Sequence, residues 1–122
     1  MVNPRAKGQR VVAKAIRYAL SFPGTAVIPL YQVSRWATKQ PFDLIVFRET
    51  YWLRVVEVRA NAWRTGRAST VALAALPGDA YHKQIWKFEN GCATPQIRQW
   101  VEHEQHWCHQ DQPWEGEERH AP

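Results

Sequence analysis

A chain of 122 residues holds one domain with a single core. No stretch approaches the roughly 18 apolar residues of a membrane span, and no apolar run of the secretory-leader kind follows the early Arg and Lys, so a cytoplasmic protein is expected. The net charge of +5 is segregated: the balance is +10 over residues 1–100 and −5 over residues 101–122, with no acid before Asp43.

A basic body of this kind attracts polyanions with an affinity that falls steeply with salt. A merely solvated basic surface is the plainer reading. Cys92 and Cys108 are too few for a disulfide framework, which fits a reduced, intracellular setting; a single bridge between them is the alternative.

Asn3-Pro4 opens the first predicted helix, Asn as cap and Pro where its missing N–H costs nothing. Val12, Ala15, Ile16, Ala19 and Leu20 then recur at helical spacing, predicting a helix over about residues 4–20 that Ser21-Phe22-Pro23-Gly24 ends. Its other faces carry Arg5, Lys7, Arg10, Lys14 and Arg17. Residues 25–33 read as a strand with Pro29 marking an edge or bulge. Residues 34–40 form a basic loop containing Arg35, Trp36 and Lys39.

Two apolar β-runs follow, Pro41 to Phe47 and Trp52 to Arg59, joined by the polar link Arg48-Glu49-Thr50-Tyr51. Each carries one carboxylate in apolar surroundings, Asp43 in the first and Glu57 in the second. A buried carboxylate is costly unless a cation, a proton or hydrogen bonds compensate it. Two of them on neighbouring strands point to a shared divalent metal. Side chains alternate along a strand, so Arg59 shares the face of Glu57. A three-residue loop would put Asp43 on that face too, whereas a two-residue turn would pair Asp43 with Val56 and point it away. The link lacks the Gly or Asn of a tight turn, which favours the looser loop.

Residues 60–78 read as a basic loop followed by a short helix or strand. Asp79 is a plausible cap for a second helix through Tyr81, Ile85, Trp86 and Phe88, stopped by Asn90-Gly91. Over residues 94–108, Ile97, Trp100, Val101, Trp107 and Cys108 fit a helix, and a strand over 95–101 with an irregular continuation fits as well. From His109 the chain is polar and acidic, so a domain over 1–108 and a flexible tail over 109–122 are expected.

A basic first helix with Gly8, then Pro41-Phe42-Asp43, then Glu57 fourteen residues on and a cation two beyond it: this order resembles the PD-(D/E)xK nuclease superfamily. In size and layout it is similar to the small archaeal-type Holliday junction resolvases, over about residues 5–100. The resemblance implies an α/β fold with a restriction-endonuclease-like core, a central mixed β-sheet flanked by helices in the order αβββαβ. That order requires a strand at 94–101. It also implies a Mg²⁺-dependent (or Mn²⁺-dependent) endonuclease acting on branched DNA in recombination or repair, working as a homodimer. Asp43, Glu57 and the Val58 carbonyl would hold the metal, Arg59 would face the phosphate, and Arg5, Lys7, Arg10, Arg35, Lys39 and Lys83 would contact DNA.

Two positions depart from the family pattern. Arg59 stands where a Lys is usual, and Arg cannot exchange a proton; Lys39, Lys83 or Lys87 would have to supply an amine from elsewhere. Gln9 stands where many members carry a Glu, and as an amide it can still hydrogen-bond a water. Together the departures carry a second expectation, a nuclease-fold DNA-binding protein that cuts weakly or not at all.

The run His103-x-x-His106-x-Cys108-His109 has metal-ligating residues but matches no strong zinc signature, so a polar surface segment is its default reading. His82 and Lys83, at the start of the predicted second helix, could face a phosphate. No phosphate-cradling Gly-rich loop and no Gly-x-Ser-x-Gly occurs, which leaves nucleotide hydrolysis and Ser catalysis without support.

Overall fold

A computed structural model describes residues 4–30, 42–63, 71, 73–77 and 81–115, with side chains from Arg10 onward. One helix, α1 (Pro4–Leu20), precedes six strands: β1 (Thr25–Pro29), β2 (Leu44–Arg48), β3 (Leu53–Ala60), β4 (Tyr81–Phe88), β5 (Gln96–Val101) and β6 (His106–Gln110). The strands form one mixed sheet in the order β1-β2-β3-β4-β5-β6. Among the described residues, β3 and β4 run parallel and every other neighbouring pair is antiparallel. The chain is therefore an α/β protein.

The predicted first helix forms over residues 4–20, and its stripe sets one layer of the core. Val12, Ala15 and Ala19 pack on Leu44, Val46, Val56, Val58, Trp86, Phe88 and Ile97. Tyr18 meets Phe22, Trp86 and Phe88 edge-on, which seats the end of the helix on the sheet. The helix closes through Ser21 and Phe22 amides on the Arg17, Tyr18 and Ala19 carbonyls, and Gly24 then turns the chain at φ 76°.

The opposite face is covered by the crossover between β3 and β4. Parallel strands cannot be joined by a tight turn, and the link here spans residues 61–80. Val71 and residues 73–75 are helical, and Leu73 is fully buried against Val55 and Ile85. Strands β2 and β3 are thus covered on both sides, which explains their near-continuous apolar runs. Burying Leu44, Val46 or Val56 contributes about 1.5–3 kcal/mol each.

Three expectations need correction. Residues 81–88, predicted as a second helix, are strand β4. Both faces of β4 are buried, so no period of two shows, and Tyr81, Ile85 and Phe88 mimic helical spacing by accident. Gln84 deepens the disguise: it is fully buried, donates to Gln99 Oε1 (2.7 Å) and the Pro113 carbonyl (2.9 Å), and accepts from Trp86 Nε1 (2.9 Å). Asn90-Gly91 is the turn into β5, with Gly91 at φ 80°.

Second, helical periodicity over 94–108 is not realised. Gln96–Val101 is a strand, but it follows strand β4 and not the helix expected before it, and the continuation expected to be irregular pairs with it as β6. Third, the expected boundary at residue 108 falls inside β6. Beyond it, Pro113 and Trp114 are buried; the Pro113 carbonyl accepts from Arg54 Nε at 3.0 Å, and the Arg54 guanidinium lies 4.5 Å from the Trp114 ring centre. Residues 109–115 belong to the domain. The basic loop at 34–40, with Arg35 and Lys39, and the segment 116–122 lie outside the described residues.

Candidate active site: two carboxylates across β2 and β3

The register of β2 on β3 pairs Leu44 with Val56, Ile45 with Val55 and Val46 with Arg54. The ladder stops there: Asp43 precedes the strand, and its amide shares the Val56 position with Leu44 by donating to the Val56 carbonyl. The register makes Glu49-Thr50-Tyr51 a three-residue loop, closed by the Tyr51 amide on the Arg48 carbonyl at 3.0 Å, with Thr50 at φ 65°. The looser of the two turns is therefore the one formed, and Glu57, between Val56 and Val58 of the α1-side core, lies on the face away from α1.

Asp43 sits just before β2, and its side chain finishes the pairing that the strand no longer makes. The Val58 amide donates to Asp43 Oδ2 at 2.7 Å, while the Asp43 amide donates to the Val56 carbonyl at 2.7 Å. In an extended strand the N–H and C=O of one residue point to the same side. The Val58 carbonyl is thus turned toward Asp43 as well.

Glu57 is 2 % exposed and forms an ion pair with Arg59, two residues on and on the same face. Burial pushes the Asp43 carboxyl above its ordinary range, against the Val58 amide and the Arg59 charge, which both pull it down. Burial works against the Arg59 charge as well, and Asp43 supports it. Three ionisable groups therefore share a poorly solvated patch. Their oxygens are hard donors with a backbone carbonyl alongside, the set that suits Mg²⁺ or Mn²⁺ rather than a thiophilic metal.

The parallel register adds a neighbour: Lys87 of β4 is the partner of Arg59. Its ammonium lies 3.0 Å from Glu89 and 4.8 Å from the centre of the Trp63 ring, over which Arg98 also stands at 4.0 Å. No local pattern in the sequence announces Trp63 and Arg98, because Trp63 follows β3 and meets β4 and β5 only across the crossover.

The remaining expected residues are scattered. Arg10 is exposed on α1; Gln9, Arg5 and Lys7 lie in the same helix, in the turns whose side chains are outside the described ones. Lys83 is 5 % exposed and donates to the Ala74 carbonyl at 2.7 Å, so it ties the crossover to β4 instead of presenting a cation to solvent. His82 stacks on Trp52 with ring centres 5.4 Å apart, on a strand and not at a helix start. No helix among the described residues is long and apolar enough to cross a membrane. Comparison of the chain with family models, curated proteins and solved structures gave no match.

Proposed function

We propose that this chain is a Mg²⁺-dependent DNA endonuclease selective for branched or junction DNA, built on a restriction-endonuclease-like core. The observation that carries the reading is the grouping of Asp43, Glu57 and Arg59 around β3: the Val58 amide holds Asp43 Oδ2, Glu57 pairs with Arg59, and the Arg59 charge acts on Asp43. The element order supports it: a helix, three antiparallel strands, a crossover with a helical turn, and a fourth strand parallel to the third. Up to β4 that order can be laid on the αβββαβ arrangement of the PD-(D/E)xK nucleases that the sequence resembles, with β4 in place of the strand expected at 94–101 and with β5 and β6 added beyond it.

Asp43, Glu57 and the Val58 carbonyl would hold Mg²⁺ or Mn²⁺, which when bound polarises the scissile phosphate and lowers the pKa of water. The protein's own groups do the rest. The Val58 amide fixes the Asp43 carboxylate in one orientation. Arg59 leaves its partner to meet the negative charge that builds on the phosphate, a task for which permanent protonation suits it. Arg5, Lys7, Arg10, Arg35 and Lys39 would hold the DNA backbone; α1, which carries Gln9, packs on the sheet face away from Glu57, so Gln9 is given no part in the site. Two symmetric cuts in a junction need two such sites, hence a homodimer.

A second reading, a nuclease-fold DNA-binding protein that does not cut, has one observation in its favour. The Glu57–Arg59 pair already satisfies one carboxylate with a fixed cation. Incubating a labelled four-way junction, with duplex and single-strand controls, in Mg²⁺, Mn²⁺ or EDTA separates the two. Metal-dependent cuts that vanish in Glu57→Gln support the nuclease. Salt-sensitive binding without cuts in either metal supports the binder, and neither binding nor cutting removes both.

A further inference from the structure

Strand β6 ends the sheet on the side away from β1, three strands from Glu57. His106 and Cys108 are two residues apart on it and so project from one face, opposite to Trp107 and His109. The turn before β6 returns a third side chain to that face. Glu104 and Gln105 amides both donate to the Val101 carbonyl (3.2 and 2.8 Å), Gln105 adopts φ 55°, and its side chain holds the Glu102 carbonyl at 2.6 Å. Glu104 is thereby brought over the strand.

A carboxylate, an imidazole and a thiol converge there. Glu104 Oε2 lies 2.8 Å from His106 Nε2, and Cys108 Sγ lies 3.3 Å from His106 Nδ1 and 3.9 Å from Glu104 Oε2. One donor atom from each residue falls within 4.8 Å of the other two. Tetrahedral zinc sets its sulfur, nitrogen and oxygen ligands about 3.5 Å apart. The Glu104 and Cys108 contacts use opposite ring nitrogens of His106, so an ion held with Cys108 through Nδ1 requires Glu104 to leave Nε2 and turn toward the thiol.

An exposed Glu104–His106 ion pair alone would be worth little and would need no thiol. Here the thiol lies within reach of both members. The mixture of donors also excludes Mg²⁺, which selects oxygen, and favours a borderline-soft divalent ion.

We infer that Glu104, His106 and Cys108 form a zinc site, with water in the fourth position, that fastens the turn at 102–105 to the edge of the sheet. Binding breaks the Cys108 S–H bond, forms a zinc–sulfur bond and releases one proton to solvent. The inference is independent of the Asp43–Glu57 grouping and of the function proposed for it.

The test is Co²⁺ titration of the full chain after chelator treatment, read as the thiolate-to-cobalt absorption band and reversed by Zn²⁺. One equivalent per chain is expected. Cys108→Ser and His106→Ala should abolish the band, and Glu104→Gln should weaken zinc by at least ~10-fold. Cys92→Ser and Asp43→Asn should leave it intact, with circular dichroism reporting the fold of each variant. A folded wild type without the band, a band that survives Cys108→Ser, or one lost with Cys92→Ser overturns the site.

Discussion

The Asp43 carboxylate accepts a hydrogen bond from the Val58 backbone amide at 2.7 Å, tying the residue before β2 to the strand position just after Glu57. This bond and the Arg59 charge do not offset burial, so the folded-state pKa of Asp43 stands above its unfolded value. A group with a raised folded pKa adds stability below the unfolded pKa and loses it as pH rises through the folded one. At neutral pH the ionised Asp43 is therefore a cost to the fold. Asp43→Asn keeps an acceptor for Val58 and should raise Tm at neutral pH, the gain vanishing below about pH 3.5, where the wild-type group is protonated in both states. The same substitution should abolish junction cleavage. A Tm that falls at neutral pH would show that Asp43 is structural.

Arg59 compensates Glu57, which is almost wholly buried. Removing one partner of a buried pair strands the other, so Arg59→Ala should cost about 3 kcal/mol, the low end for such pairs because Arg59 retains some exposure. A divalent cation at Asp43 and Glu57 would replace the lost charge. Mg²⁺ should therefore recover much of the lost stability in Arg59→Ala, measured by denaturant unfolding with and without the ion. Equal losses in Mg²⁺ and EDTA would argue that the two carboxylates do not take the metal.

The hairpin was legible because it is local. Two carboxylates in apolar runs and a link without Gly or Asn point to the three-residue loop and to the grouping of Asp43 with β3. Helix α1 was legible for the same reason, its stripe lying within one element. Strand β4 was not, since two buried faces and a satisfied Gln84 erase the alternation that marks a strand. The placement of Lys87 beside Arg59 depends on the parallel register across a crossover, which no local pattern encodes. Glu104, His106 and Cys108 meet through strand alternation plus one turn, a spacing unlike the Cys-x-x-Cys pairs by which zinc sites are usually noticed.

That register makes Lys87 the amine nearest in the sheet to the position where Arg59 cannot exchange a proton. If Lys87 transfers a proton during cleavage, Lys87→Met should lower single-turnover cutting by ~100-fold or more, within the usual range for general acid–base groups. Lys87→Arg, which keeps the charge over Trp63, should not restore it. Junction affinity measured in Ca²⁺ should change little in both variants. Full activity in Lys87→Arg would reduce Lys87 to a fixed positive charge.

Trp114 tests whether the polar end of the chain is part of the domain. Its side chain is 3 % exposed, lies against Tyr51 with ring centres 5.2 Å apart, and covers the fully buried Arg54, whose guanidinium stands 4.5 Å above the indole. The adjoining Pro113 carbonyl is an acceptor for both Arg54 and Gln84. Trp114→Ala opens a cavity and uncovers a buried cation, so a loss of about 3–5 kcal/mol is expected. Truncation after Cys108 should cost more, because it also removes the Pro113 carbonyl from Arg54 and Gln84, two polar side chains fully out of water. Urea unfolding of both variants measures this directly. A truncated chain as stable as the wild type would mean that residues 109–115 rest on the sheet without supporting it.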